Sequence, residues 1–530
     1  MKNPGTTILL LVALAAPSFF PAAQDLDSLL VQSIGGPEAC RTAATLHTLR
    51  ARGAFSLNDQ VGEFRIAYTS PDKIYLEVTF GLLSLVQAYD GVVAWKRDLN
   101  GAYSRVSGYE ENEIRRQVYL QSYSYLFDDR LPGGRKYLGL VERDGTDYHL
   151  VALTPLNLDT LYLYLDPETA RQVMLTSRID NLETITYNSD FRQVSGMVMP
   201  FVSRAVAEQA GLVTEFVVDT VIINQPVDAS LYRLPGVQKV DYRFPHGANR
   251  YEIPFDYSHG HIYVTASVNG KRKVRLILDS GASANILHQA AITDLDLKVV
   301  GSLPTKGIGG YEEADLVRTD SIVIGDLVLF GQIAGRLDLA GIGRSSPDGV
   351  PFGGVLGFDF LARFPMMVNY ACSTLTVFDP DEFVPPTGGS SVPFSLTMQV
   401  PTVDAELDGV SGKFVVDLGN ALGLLLHSHW VQSHDLSGKL LQVEPLSRVL
   451  GGIGPGLSGQ RAVARTFDVG DLSLQDVPVL LPDAGEGITG SEELAGNIGN
   501  LLLQNFTILF DYDEGLLIFY PVSTDSRSTD

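Results

Sequence analysis

Cysteine is nearly absent: the 530 residues contain two, Cys40 and Cys372. That excludes a disulfide framework and a cysteine-based metal cluster, and a bridge between them would have to join distant parts of the chain. Basic residues are also scarce. Lysine and arginine total 39 against 62 aspartates and glutamates, for a formal net charge of −23. So acidic a surface repels phosphate backbones and offers no basic patch to anionic lipid, which argues against nucleic acid as a partner. No stretch reaches the 18 consecutive apolar residues of a membrane-crossing helix. The G-x-S-x-G elbow and the H-E-x-x-H helix motif are missing. The glycine-rich Gly454-Pro455-Gly456-Leu457-Ser458-Gly459 lacks a surrounding strand–turn–helix unit. His259, His261, His427 and His429 have no cysteine or carboxylate close by in sequence to complete a metal site, so no metal or cofactor is expected.

What remains is ordinary globular material, 45% hydrophobic and 19% charged, long enough for more than one domain. Lys2 precedes an apolar run, Ile8 to Ala16, and then small residues up to Ala23. This pattern predicts a signal peptide over residues 1–23, with Ala13-Leu14-Ala15 as one cleavage site and a cut near Ala23 as another. It implies an exported protein, periplasmic or secreted, with no membrane span in the mature chain.

Residues 36–235 read as one β domain. Phe64–Tyr68 and Ile74–Val78 alternate apolar and polar residues around a turn at Ser70-Pro71-Asp72-Lys73. Val92–Trp95, Tyr148–Leu153 and Leu161–Leu165 follow, and the best helix candidate lies near residues 110–126. Short strands with regular turns predict a single curved, nearly closed antiparallel sheet. The segments SPDKIYLEV, YDGVVAWKRD, GMVMPF and INQPVDASLYRLP resemble the outer-membrane lipoprotein carrier and sorting family. That resemblance implies an open, concave half-barrel able to hold an acyl chain, a lipoprotein or an apolar peptide. Residues 236–251, with Pro245, Gly247 and several charges, read as a linker.

Beyond the linker the chain repeats itself. Val274–Asp279-Ser280-Gly281-Ala282 is matched by Phe414–Asp417-Leu418-Gly419-Asn420, and the aspartates are 417 − 279 = 138 positions apart. Gly307-Ile308-Gly309 is matched by Gly452-Ile453-Gly454, and Gly325-Asp326-Leu327 by Gly470-Asp471-Leu472. Val355-Leu356-Gly357-Phe358 is matched by Asn497-Ile498-Gly499-Asn500, with Phe364 and Tyr370 against Phe506 and Tyr512. The order is kept throughout, so each copy is one lobe: residues 252–385 and 386–522, with 523–530 a tail. In each, Asp-x-Gly ends an apolar strand. Gly281 allows a tight turn and close approach, and Ser280 offers a hydroxyl that can bond across to the opposite loop.

LILDSGAS and GGVLGFDFL resemble the retropepsin-like group of aspartic peptidases, and the second copy resembles the same unit in degenerate form. The resemblance implies two lobes about a pseudo-twofold axis with Asp279 and Asp417 facing each other. It places Ser280, Gly281, Ala282, Gly419 and Asn420 in the supporting loops, and Gly309, Gly310 and Tyr311 in a flap hairpin over the cleft. Two touching carboxylates cannot both ionise cheaply, so one keeps its proton. The charged one can then deprotonate a water while the protonated one donates to a peptide carbonyl. Position 418 departs from the family pattern, being Leu where Ser or Thr stands, and position 420 is Asn. Asn420 can still donate to a carboxylate or satisfy the loop backbone. The expected protein is therefore mainly β, a half-barrel followed by a tandem two-lobed acid-protease fold, hydrolysing a peptide or protein substrate. The alternative is a non-catalytic binding protein whose half-barrel takes lipid or lipoprotein.

Overall fold

Period-two alternation along most of the chain gives long strands, and the structure, a computed structural model, is mainly β. It describes residues 25–236, 240–308, 310–446, 458–483, 485 and 487–521. The predicted signal peptide 1–23, the tail 523–530, the repeat landmark Gly452-Ile453-Gly454 and most of the glycine-rich 454–459 segment lie outside the described residues.

The first sheet has thirteen strands and is wholly antiparallel between neighbours. Its first strand, Thr48–Leu57, pairs with both the second, Gln60–Thr69, and the last, Leu212–Ile223, so two meanders grow outward from a common centre. The two edge strands, Tyr103–Arg105 and Gly133–Arg143, stand at opposite ends of the strand order and leave the sheet open. The helix Gly108–Gln121 joins them. Its Ile114, Val118 and Tyr119 pack with Leu29 and Leu30 from the helix Leu26–Ser33 and with Leu49, Val151 and Leu163 from the sheet, filling part of the concavity.

Residues 240–251 differ from the linker that composition predicts over 236–251. Tyr242 and Arg243 pair antiparallel with Leu329 and Val328. Asp241 makes a buried ion pair with Arg363 at 2.6 Å, and Arg250–Pro254 pairs with Thr374–Phe378. Proline, glycine and charge signal irregular backbone, but here the charge is held by a partner more than a hundred positions away.

The repeat folds as a repeat. In the first copy the strand Arg272–Leu278 runs parallel to Phe352–Leu356, which pairs antiparallel with Ile286–His288. In the second copy Val410–Val416 runs parallel to Gly496–Ile498, which pairs antiparallel with Leu424–Leu426. A six-stranded sheet joins the copies through Met366–Asn369 and Phe506–Asp511. Met367 faces Leu509 there, and 509 − 367 = 142 is the offset between equivalent positions. Met366 faces Phe510 and Val368 faces Ile508, so each residue meets the equivalent of its neighbour's neighbour. This is isologous pairing, with a pseudo-twofold axis passing between Met367 and Leu509.

Candidate active site

The two aspartates end their strands in matching positions. Asp279 N–H donates to Leu356 O at 2.9 Å, and Asp417 N–H donates to Ile498 O at 2.9 Å. Each carboxylate then accepts from the glycine two residues on: Gly281 N–H to Asp279 Oδ1 at 2.9 Å and Gly419 N–H to Asp417 Oδ1 at 2.9 Å. The loops cross so closely that a side chain at position 281 would strike the Asp417 carboxylate, and one at 419 would strike that of Asp279. Only glycine fits at either place. The two carboxyl groups face each other across the crossing loops, and each is partly exposed to solvent.

Burial and the facing charge of Asp417 raise Asp279 well above the usual carboxylate range. Burial raises Asp417 as well, but Asn497 Nδ2 donates to its Oδ2 at 2.8 Å, and the Gly419 and Asn420 N–H groups and Asp279 all oppose the rise. More donors favour the charged form at Asp417, so of the two carboxyls Asp279 is the one raised further.

Asn497 escaped the sequence reading, although a signal existed: it stands where the first copy has Val355. Its Oδ1 meets His427 Nε2 at 2.9 Å. Burial holds that imidazole down at about 4, so the ring is neutral at ordinary pH. Asp417, Asn497 and His427 thus form a chain with no counterpart behind Asp279.

Ser280 spans the lobes. Its Oγ donates to Val416 O at 2.6 Å and accepts from Leu418 N–H at 2.9 Å. Leu418 is fully buried and returns no such bond. Asn500, at the position of Phe358, supplies another tie: its Nδ2 donates to Leu418 O at 2.7 Å and to Gly260 O of the first lobe at 2.8 Å. Tyr370 Oη donates to Asn500 Oδ1 at 2.7 Å. Of the two roles open to Asn420, its side chain takes the loop, accepting from Leu422 N–H at 3.0 Å and donating to Gly423 O at 3.3 Å. Only its backbone N–H reaches the carboxylate. Ala282 O accepts from Phe358 N–H at 2.9 Å, fixing the loop after Asp279.

A hairpin of Lys298–Gly307 and Gly310–Arg318 extends from the first lobe. Gly309 lies outside the described residues. Gly307 pairs with Gly310 and Lys306 with the half-buried Tyr311 next to the tip. The tip rests on the turn Gly487–Gly490 of the second lobe, so closely that a side chain at 487 would strike Gly307 O.

Residues 264–360 match the family model described as aspartyl protease. That span holds Asp279, its supporting loop, the hairpin and the Gly357 element. Among solved structures, the chain is similar to an aspartic proteinase from Irpex lacteus at 13% identity and a TM-score of 0.34, covering 53% of this chain and 100% of that one. It is also similar to a putative outer membrane lipoprotein-sorting protein domain from Vibrio parahaemolyticus, at 11% identity and a TM-score of 0.26, covering 35% of this chain and 92% of that one. A LolA superfamily protein from Nitrosomonas europaea matches at 11% identity and a TM-score of 0.27, covering 39% and 96%. No curated protein matches the chain.

Proposed function

We propose that this protein is an aspartic endopeptidase working outside the cytoplasm. Asp417 takes a proton from a water held between the carboxylates, and Asp279 donates its proton to the carbonyl oxygen of the scissile amide. Water oxygen bonds to the carbonyl carbon to form a tetrahedral diol, which collapses with proton return to the leaving amine. One observation carries the reading. Two carboxylates from equivalent loops face each other, each against the other loop's glycine. Two carboxyls held this close repel when both are ionised, a cost that a pair sharing one proton avoids. Ser280, Gly281, Ala282, Gly419 and Asn420 hold the loops, and the hairpin through Gly310 and Tyr311 covers the substrate. Residues 36–235, 252–385 and 386–522 are proposed as the three working units.

Digestion of an unstructured protein between pH 3 and 7 tests this. Wild type should cut, and Asp279→Asn and Asp417→Asn should each be inactive. A wild type that cuts nothing would defeat the proposal. A second reading, a binding protein, is favoured by one feature: an apolar cavity of about 400 Å³ in the concavity of the first sheet, lined by Leu49, Ile66, Ile74 and Leu175. It would be supported by lipid or lipoprotein that copurifies with an inactive chain.

A further inference from the structure

The amino-terminal sheet packs against the first lobe. A cavity of about 390 Å³ lies between that sheet and the first lobe, within the usual range for ligand pockets. On the lobe side it is bounded by Ala284, five positions past Asp279, and by Leu303 and Ala314 of the hairpin proposed as the flap. On the other side stand Leu76, Val78 and Leu85 of the amino-terminal sheet. Val78 faces Leu85 across adjacent strands, so they project together.

This wall is fixed to the lobe. Asn100 pairs with the backbone of Ile333 in both directions, its Nδ2 donating to Ile333 O at 3.0 Å and its Oδ1 accepting from Ile333 N–H at 2.7 Å. The same Nδ2 donates to Asp359 Oδ1 at 2.8 Å, two residues beyond Gly357. Asp359 Oδ2 in turn accepts from Asn285 N–H at 2.7 Å, in the loop that follows Asp279. A short hydrogen-bonded path therefore holds the wall in register with the dyad loop.

We propose that this cavity is a substrate subsite that accepts a bulky apolar side chain of the peptide, and that Leu76, Val78 and Leu85 of the amino-terminal domain set its selectivity. The inference rests on the peptidase reading for its substrate class. It follows from the mainly apolar lining, to which Lys96, Arg97, Asp98, Lys306 and Asp359 add charge, from the position under the flap and beside the dyad loop, and from the rigid attachment of the far wall. The amino-terminal domain is then part of the peptide-binding surface.

Leu85→Lys tests the subsite, because Leu85 is only partly buried and a lysine there can reach solvent. The control is Leu138→Lys, an exposed site in the edge strand of the same sheet. Cleavage positions in a peptide library are read by mass spectrometry for all three full-length proteins. The expected result is that Leu85→Lys loses at least tenfold in relative preference for large apolar residues at one substrate position and leaves the other positions unchanged. The control should match wild type. A Leu85→Lys protein with wild-type melting temperature and an unchanged profile would overturn the proposal.

Binding of a fluorescein-labelled hexapeptide with a central Phe-Phe, measured by polarisation, separates this inference from the catalytic one. A wild type that binds it, at least tenfold more tightly than Leu85→Lys, and yet cleaves nothing defeats the peptidase reading and leaves the subsite standing. Equal binding by the two proteins, or none by wild type, overturns the subsite.

Discussion

Lys306 Nζ, next to the tip of the first-lobe hairpin, lies 3.1 Å from Asp180 Oδ2 in a turn of the amino-terminal sheet. Only 8% of the lysine side chain and 3% of the aspartate side chain are exposed. Asp180 Oδ1 also accepts from Ser491 Oγ at 2.9 Å and Glu492 N–H at 2.8 Å in the second lobe. One carboxylate thus binds the hairpin and both lobes to the first domain. Removing one member of a buried pair strands the other charge, at a cost of about 3–5 kcal/mol. Lys306→Met should raise amide exchange across residues 303–314, read by mass spectrometry, with little change in the core strand Arg272–Leu278. Asp180→Ala should lower the melting temperature further, because it also strands the donors of the second lobe.

Asn497→Val gives the second copy the residue of the first. It removes the amide that favours ionised Asp417. A hydrogen bond to a charged group is worth about 1.5–3 kcal/mol, equivalent to about 1–2 pH units. Losing it raises the Asp417 pKa. The acid limb of kcat/KM against pH should therefore move upward by that amount, and the melting temperature should fall as well, because the buried His427 loses its partner.

Leu418→Thr restores the hydroxyl that the second loop lacks and should nonetheless destabilise. Leu418 is fully buried in the main core cluster, and Asn500 already binds its carbonyl. The shorter, polar side chain leaves a void and a hydroxyl in apolar surroundings, at a cost of about 2–4 kcal/mol. Urea unfolding of the two proteins measures it. Asn500→Ala should cost about 1–3 kcal/mol by the same measurement, since it leaves the buried carbonyl at 418 and the partly buried one at 260 without their donor.

Asp98 lies at the junction of the first sheet and the first lobe. Burial, then the charge of Asp359, pushes it up to about 7, against the pull of Arg363 and the backbone donors of Ala102 and Asn100. A carboxyl raised in the folded state binds its proton there when the unfolded chain has already released it. Its contribution to stability is therefore full below about pH 4 and is lost as pH rises toward 7. Asp98→Asn keeps an acceptor for those backbone donors and cannot ionise. The difference in melting temperature, variant minus wild type, should increase from pH 4 to pH 7 and then level off.

The dyad and the repeat were legible because each depends on local pattern: an apolar strand, Asp-x-Gly, and landmarks kept in order. Helix Gly108–Gln121 was visible for the same reason, with its predicted tail becoming the short 3-10 turn Ser124–Leu126. The support of the site was less legible. Asn497 could be noticed as a polar residue replacing Val355, but its bond to Asp417 depends on two strands meeting 80 positions apart. Asp180 and Lys306 are 126 positions apart, and each alone looks like an ordinary surface charge. Asp241 sat in a segment that composition marks as a connector, and only Arg363 gives it a buried place.

The pairing of Met367 with Leu509 also governs how the molecule can be built. Until the second copy has formed its strand Phe506–Asp511, the strand Met366–Asn369 has one free edge, and the dyad has one carboxylate. The contact that closes the base of the site spans 142 positions, so it has a high contact order and is intrinsically slow to form. Meanwhile the free edge is self-complementary, because its proper partner is its own equivalent about a twofold axis. A half-folded chain can therefore capture the same edge of a second molecule, and the symmetry that assembles the site is also a route to misassembly.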